Sequence, residues 1–247
     1  MRRRSRPSGK FLPKGLTIIH EDKDILVADK PPDLLTIGTD TERRRTAYFI
    51  LTDYVRKGAA KSKKRIFIVH RLDRETSGIL IFAKSEEAKF YLQSHWKETK
   101  KTYLAVVHGQ CDRKSETITT YLAENQAHFV YSTPDTAKGK LSQTAYHVLK
   151  QTKDFALLEV DLLTGRKHQI RVHLTGIGHP VVGDQRYGTK NGVHKRLALH
   201  ARSISIRHPS SGQRLTFETK VPGYFNQLVG SVDHKATGAA TGSDTDI

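Results

Sequence analysis

Two short apolar runs, Ile66-Phe67-Ile68 and Ile79-Leu80-Ile81-Phe82, bracket the polar stretch Val69-His70-Arg71-Leu72-Asp73-Arg74-Glu75-Thr76-Ser77-Gly78. Both runs are short, rich in β-branched side chains and bounded by polar residues, so they read as buried strands. A chain with this pattern must fold so that two rigid strand ends support one polar loop, a common way to fix a reactive group. The loop's carboxylate, Asp73, stands between Arg71 and Arg74. Cations on both sides favour its charged form, and a permanently anionic carboxylate suits nucleophilic work better than proton donation. Taken alone, an Asp in a loop is more often solvated or caps a turn.

A chain of 247 residues can bury one good core, or two small subdomains sharing a cleft. The formal charge of +17 exceeds what solubility requires and implies a polyanionic partner. Nucleic acid fits better than a membrane, because no apolar run approaches bilayer-spanning length. No signal-peptide pattern opens the sequence. The single Cys111 excludes a disulfide framework and any Cys-rich zinc site, and suits a reducing compartment. Cytoplasm is the expected location.

Residues 1–15, with Arg2, Arg3, Arg4 and Arg6, lack apolar periodicity and read as a basic arm that is disordered without a partner. One folded domain is expected over 16–230, and a Gly-, Ala-, Thr- and Asp-rich tail over 231–247. Leu16–His20 and Ile25–Asp29 read as a hairpin. Apolar residues at helical spacing predict a helix from Thr46 to Arg56. The basic stretch Lys57–Arg65 is either a solvated loop or a phosphate contact. Ser85 is a natural N-cap for a helix to Lys97 that buries Ala88, Tyr91, Leu92 and Trp96. Strands are expected over Tyr103–Val107, Ala145–Leu149, Phe155–Val160, Arg196–Ile206 and Leu215–Thr219. Strand-rich runs interrupted by a few helices argue for an α+β fold rather than βαβ alternation.

Between Gly165 and Gly178, the spacing of Ile170, Leu174 and Ile177 predicts a helical apolar seam. On that register Lys167 and Arg171 stand one turn apart on one face. They would repel by roughly 0.2–0.5 kcal/mol in an isolated helix, unless a carboxylate or phosphate lies opposite. His168 and His173 are five apart rather than four and lack an accompanying Glu, so no metal site is expected. Gly178 and Gly183 have P-loop spacing, but Asp184 follows where Lys is required, and Gly-x-Gly-x-x-Gly is absent. Neither metal nor nucleotide cofactor is expected.

His70-Arg71-Leu72-Asp73 with Thr76-Ser77-Gly78 resembles the signature of the RluA-type pseudouridine synthases. The likeness continues in order through Lys30-Pro31-Pro32, Lys101-Thr102-Tyr103-Leu104-Ala105, and Thr164-Gly165-Arg166-Lys167-His168-Gln169-Ile170-Arg171-Val172-His173-Leu174. It then takes in Gly178-His179-Pro180, Gly183-Asp184, Tyr187-Gly188, Leu199-His200-Ala201 and His208-Pro209. Each match is weak; the ordered set, spanning roughly Leu16 to Pro222, is specific. The resemblance implies a mixed, mostly antiparallel sheet with flanking helices and a central RNA-binding cleft. It implies isomerisation of uridine to pseudouridine in structured RNA, breaking the bond from ribose C1′ to uracil N1 and rejoining the ribose at C5, without a cofactor. Asp73 would be the catalytic residue; attack on the ribose, stabilisation of a cation there and proton removal all stay open. Arg171 would be the basic residue paired with Asp73, in bidentate fashion. Tyr103 would stack on the uracil and help remove the C5 proton. Arg71 would fill the gap left by the flipped nucleotide, and His70, Arg166, Lys167 and the arm would contact RNA.

Base flipping costs a few kcal/mol, least in a loop, so a stem-loop of ribosomal or transfer RNA is the expected partner. Nothing demands a protein partner, and a monomer is expected. A nucleosidase or N-glycosylase needs a second carboxylate opposite the first, and Glu75, two residues on in the same loop, is poorly suited. A binding module that had lost catalysis would lack the Asp, Tyr or Arg, and all three are present.

Overall fold

The two runs around Asp73 become the strands Phe67–Ile68 (β3) and Ser77–Ala83 (β4), paired antiparallel to each other. The structure is a computed structural model, and it describes residues 12, 15–57, 59, 61–188 and 193–232. The expected arm and tail fall almost wholly outside the described residues. The first hairpin joins Thr17–Glu21 (β1) to Ile25–Lys30 (β2). At its turn Asp22 Oδ1 accepts from the N–H groups of Asp24 and Ile25, both at 2.8 Å, as short acidic side chains do in turns. Helix α1 (Ala47–Arg56) forms where apolar spacing predicts it, and Thr46 caps it, its Oγ1 accepting from Phe49 N–H.

Helix α2 (Glu86–Ser94) is capped by Ser85, with Glu86 and Glu87 in the first turn. It stops short of Lys97. Ser94 Oγ takes the Tyr91 carbonyl at 2.9 Å, competing with the helical ladder, and a 3-10 turn (Trp96–Glu98) follows. Ala88 and Leu92 are buried, whereas Tyr91 and Trp96 are only half-buried. The remaining elements are β5 (Lys100–His108), β6 (Ser115–Glu124), β7 (Val130–Thr133), β8 (Lys140–Gln151), β9 (Phe155–Leu162), α3 (Gln169–Gly176), β10 (Leu199–Arg207), β11 (Arg214–Glu218) and α4 (Gly223–Val229).

Among the described residues, eleven strands form one sheet in the order β1-β2-β4-β10-β5-β9-β8-β6-β7, with β3 on β4 and β11 on β10. Every ladder is antiparallel except β4–β10. This is the α+β, mostly antiparallel arrangement expected. The run in β4 is continuously apolar because both its faces are covered. Leu80 and Phe82 pack with Leu51 and Val55 of α1, and Ile79 and Ile81 with Ala88 and Leu92 of α2. A third cluster joins β5 and β9 to Ile170 and Leu174 of α3 and Phe225 of α4.

Two residues set where the Asp73 loop begins and ends against this sheet. Gly78 has φ +114, and a Cβ there would overlap the backbone of Ala201, so only glycine lets β10 approach. Lys30 is wholly buried at the end of β2, and its Nζ donates to the carbonyls of Pro31 (3.0 Å), Leu34 (2.7 Å) and Arg74 (2.9 Å). Burial pulls its pKa down to about 7, opposed by the charge of Asp73. Three carbonyls for three N–H groups is an arrangement only the ammonium form fills.

Gly78→Ala is expected to cost more than about 4 kcal/mol in urea unfolding, the range of severe backbone clashes; a stability near wild type would contradict the close approach. Lys30→Met strands three carbonyl groups and is expected to cost about 3 kcal/mol by the same measurement.

Candidate active site

The loop that carries Asp73 is tied down residue by residue. Thr36, buried, donates from Oγ1 to the Leu72 carbonyl (2.8 Å) and accepts from Leu72 N–H (3.1 Å), clamping both backbone groups of the residue before Asp73. Lys30 holds the Arg74 carbonyl just after it. Beyond that, Ser77 Oγ lies 2.8 Å from His200 Nδ1, and His200 Nε2 lies 2.7 Å from Thr219 Oγ1. Thr219 donates its own hydrogen to the Arg202 carbonyl, so His200 donates to Thr219 and accepts from Ser77. Burial holds the His200 pKa near 3, which keeps the ring neutral for that role.

Beside the loop lies a cavity of about 360 Å³. All seven residues singled out from sequence line it: Asp73, Tyr103, Arg171, Arg71, His70, Arg166 and Lys167. Among the described residues Asp73 is the only carboxylate in its wall. Tyr103 comes from β5 and is half-buried there. Burial, and then the charge of Asp73, push its pKa above the ordinary value, so it keeps its proton.

Arg171 differs from expectation in its main partner. Its Nε and Nη2 form the bidentate pair with Asp184, at 2.8 and 2.7 Å, and both residues are buried. The remaining nitrogen, Nη1, lies 3.6 Å from Asp73 Oδ2 and 3.8 Å from Glu75. Burial opposes the charge on each partner of the Arg171–Asp184 pair, yet their contact leaves Arg171 above its ordinary pKa and Asp184 below its own. Asp184 Oδ1 also accepts from the N–H groups of Arg186 and Tyr187.

The helical face expected to carry both Lys167 and Arg171 does not form. His168 adopts a left-handed backbone, φ 54, and α3 starts only at Gln169. Lys167 therefore sits in the preceding turn, exposed, and pairs with Glu124 at the end of β6. Arg166 is exposed at the mouth, its N–H held by Gln169 Oε1 at 3.0 Å. Arg71 is exposed too, while Arg74 turns away from Asp73 to pair with Glu42 at 2.6 Å. His70 is built into the wall. Its Nε2 accepts from Ile81 N–H at 3.0 Å, its ring packs on Trp96, and burial lowers its pKa to about 3. A neutral ring whose nitrogen is already engaged suits wall-building rather than the RNA contact expected of it.

Asp184, Tyr187 and His168 stand in the motifs that carry the family likeness, but the sequence gives none of them a role at the site. Asp184 serves there only to exclude a P-loop, and His168 is weighed only as a metal ligand. His173, its supposed companion, is buried between Thr144 and Thr120, at 2.9 and 3.0 Å. A separate group, Asp22, Asp24 and His208, brings its ligand atoms within 4.8 Å of one another. There His208 Nδ1 accepts from Ser211 N–H, which puts the proton on Nε2, facing Asp22 at 3.1 Å. The His208 ring therefore has no lone pair for a cation. Among the described residues no helix is long and apolar enough to cross a membrane.

Comparison with known proteins agrees with this geometry. A family profile described as RNA pseudouridylate synthase matches residues 24–175. An uncharacterized RNA pseudouridine synthase of Mycoplasma pneumoniae is 34% identical over 230 residues, covering 89% of this chain and 71% of that protein. The ribosomal large subunit pseudouridine synthase C of Vibrio cholerae is 32% identical, covering 86% and 68%. Among solved structures, human RNA pseudouridylate synthase domain containing 1 superposes with a TM-score of 0.70 at 28% identity, covering 86% of each chain. The chain belongs to the RluA-type RNA pseudouridine synthase family.

Proposed function

We propose that this RNA isomerase acts through Asp73 on a uridine flipped out of a stem-loop of ribosomal or transfer RNA. The observation that carries the reading is the solitary carboxylate: among the described residues Asp73 alone supplies an acid to the cavity wall. A glycosidase places two carboxyl groups about 5–9.5 Å apart across the scissile bond. Here Asp184 is locked on Arg171, and the Glu75 side chain is 47% exposed outside the wall. With no second acid to activate water, a base detached from ribose has only the sugar to rejoin. The overall change moves one bond within the nucleotide and needs no external oxidant or reductant.

The other residues take roles that follow from their chemistry. Tyr103 keeps its proton, so it offers a ring face to the uracil and an O–H, not a phenolate base. Arg171 presents one nitrogen to Asp73 from a buried, fixed guanidinium. Arg71 and Arg166 both line the cavity and are exposed, which supports Arg71 in the gap of the RNA stack and Arg166 on phosphate. A relative named for the large ribosomal subunit favours ribosomal RNA as the first substrate to test. The reading requires no protein partner, and it takes the enzyme to be a cytoplasmic monomer without cofactor.

The test uses RNA from cells lacking this gene, which carries the unmodified target whichever RNA holds it. Wild-type protein is expected to form pseudouridine at defined positions and to release no free uracil. Asp73→Asn should bind that RNA with an affinity near wild type and form none; turnover by this variant would sink the assignment. Arg171→Lys, which retains charge but loses the planar fork, is expected to slow single-turnover conversion by about 100-fold. Arg171→Met leaves Asp184 buried and unpaired and should cost about 3–5 kcal/mol of stability in urea unfolding.

A further inference from the structure

His168 is the only residue among the described cavity lining that has a non-glycine left-handed backbone. Such a conformation is strained for a residue with a side chain and persists where surrounding contacts impose it. The strain is not recovered by helix capping, since the His168 side chain makes no cap bond to α3. Instead its ring is held on the far side. Nδ1 lies 2.7 Å from the Tyr187 hydroxyl, and the two rings meet edge to face with centroids 5.4 Å apart. The Tyr187 oxygen accepts from Val130 N–H at 3.2 Å, and Tyr187 N–H is itself held by Asp184.

These contacts fix the proton on the imidazole. Nε2 faces a carboxylate, which accepts and does not donate, so the ring proton resides on Nε2 and Nδ1 accepts from the Tyr187 hydroxyl. Nε2 faces Asp73 Oδ2 at 3.7 Å. Arg171 Nη1 approaches the same oxygen, Oδ2, at 3.6 Å. Asp184 therefore reaches Asp73 by two arms, one through Arg171 and one through Tyr187 and His168. Burial, with the charges of Arg171, Arg186 and Lys167, lowers the His168 pKa against the opposing pull of Asp73, which keeps the ring neutral near pH 7.

We propose that His168 is a positioning residue whose Nε2–H joins Arg171 in anchoring Oδ2 of Asp73, so that Oδ1 is the oxygen presented to the ribose. The 3.7 Å separation exceeds a hydrogen bond and shortens when substrate excludes solvent from the cavity, as catalytic contacts commonly do. This inference rests on the isomerase reading above.

Two independent arms test it. In the first, full-length His168→Ala, His168→Gln and Tyr187→Phe act on RNA from cells lacking the gene. His168→Ala should slow single-turnover pseudouridine formation by about 10- to 100-fold with little change in RNA affinity. His168→Gln, whose amide N–H reaches the place of Nε2, should recover much of the loss, and Tyr187→Phe should fall between. A His168→Ala rate near wild type, or a Gln variant no better than Ala, would overturn the proposal. In the second arm, 15N ring spectra of the RNA-free protein should show His168 carrying its proton on Nε2 and titrating below the ordinary 6.5. Asp73→Asn should lower that pKa further, because the Asp73 charge raises it. A proton on Nδ1, or no response to Asp73→Asn, would refute the contact whether or not any RNA is converted. Failure of wild-type protein to make pseudouridine would count against the isomerase reading instead.

Discussion

The active site depends on a carboxylate that does not line it. Asp184 is buried, and its two oxygens take four N–H groups: two from Arg171 and the backbone N–H groups of Arg186 and Tyr187. A buried ion pair adds little net stability over an apolar replacement, but losing one partner is costly. What the pair supplies is direction. With Nε and Nη2 fixed, the guanidinium plane is fixed, and Nη1 can face only the Asp73 loop. Lysine in place of Arg171 would provide charge without orientation.

The Asp73 loop itself is held mainly through its backbone groups. β4 and β10 run parallel, and the missing side chain of Gly78 lets them meet where the Asp73 loop enters the sheet. Thr36 and Lys30 close the loop from the other side through the Leu72 and Arg74 carbonyls. The site therefore sets a stiff acid 3.6 Å from a stiff cation. The exposed Arg71 and Arg166 form its adaptable rim. This division suits a reaction in which the sugar must stay in place while the base moves.

Much of this was legible in the sequence, because the signals are local. Ser85 announces its helix through capping, apolar spacing announces the helix after Thr46, and the apolar run of β4 announces a buried strand. Asp73, Tyr103 and Arg171 were marked by family likeness and do share one cavity. What could not be read was pairing at a distance. Nothing in the sequence says that the fork of Arg171 belongs to Asp184 rather than Asp73, or that Arg74 belongs to Glu42. The apolar seam Ile170–Leu174–Ile177 pointed to a longer helix than exists. His168 breaks its start with a left-handed residue, and periodicity carries no record of backbone sign. Lys167 consequently moved from a shared face to an ion pair with the β6–β7 hairpin.

The hydrogen bond from Ser77 to His200 spans 123 positions along the chain. Strand β10 lies between β4 and β5, so the first third of the polypeptide cannot complete its own sheet as it leaves the ribosome. Its apolar strand edges wait for a partner made late, and non-local pairing of this kind is slow and open to misassociation. The same order separates the parts of the site in time. Thr36 and Lys30 can hold the Asp73 loop early. Arg171 and the His200 partner of Ser77 come from the later part of the chain, so the first third carries the acid without the cation that faces it.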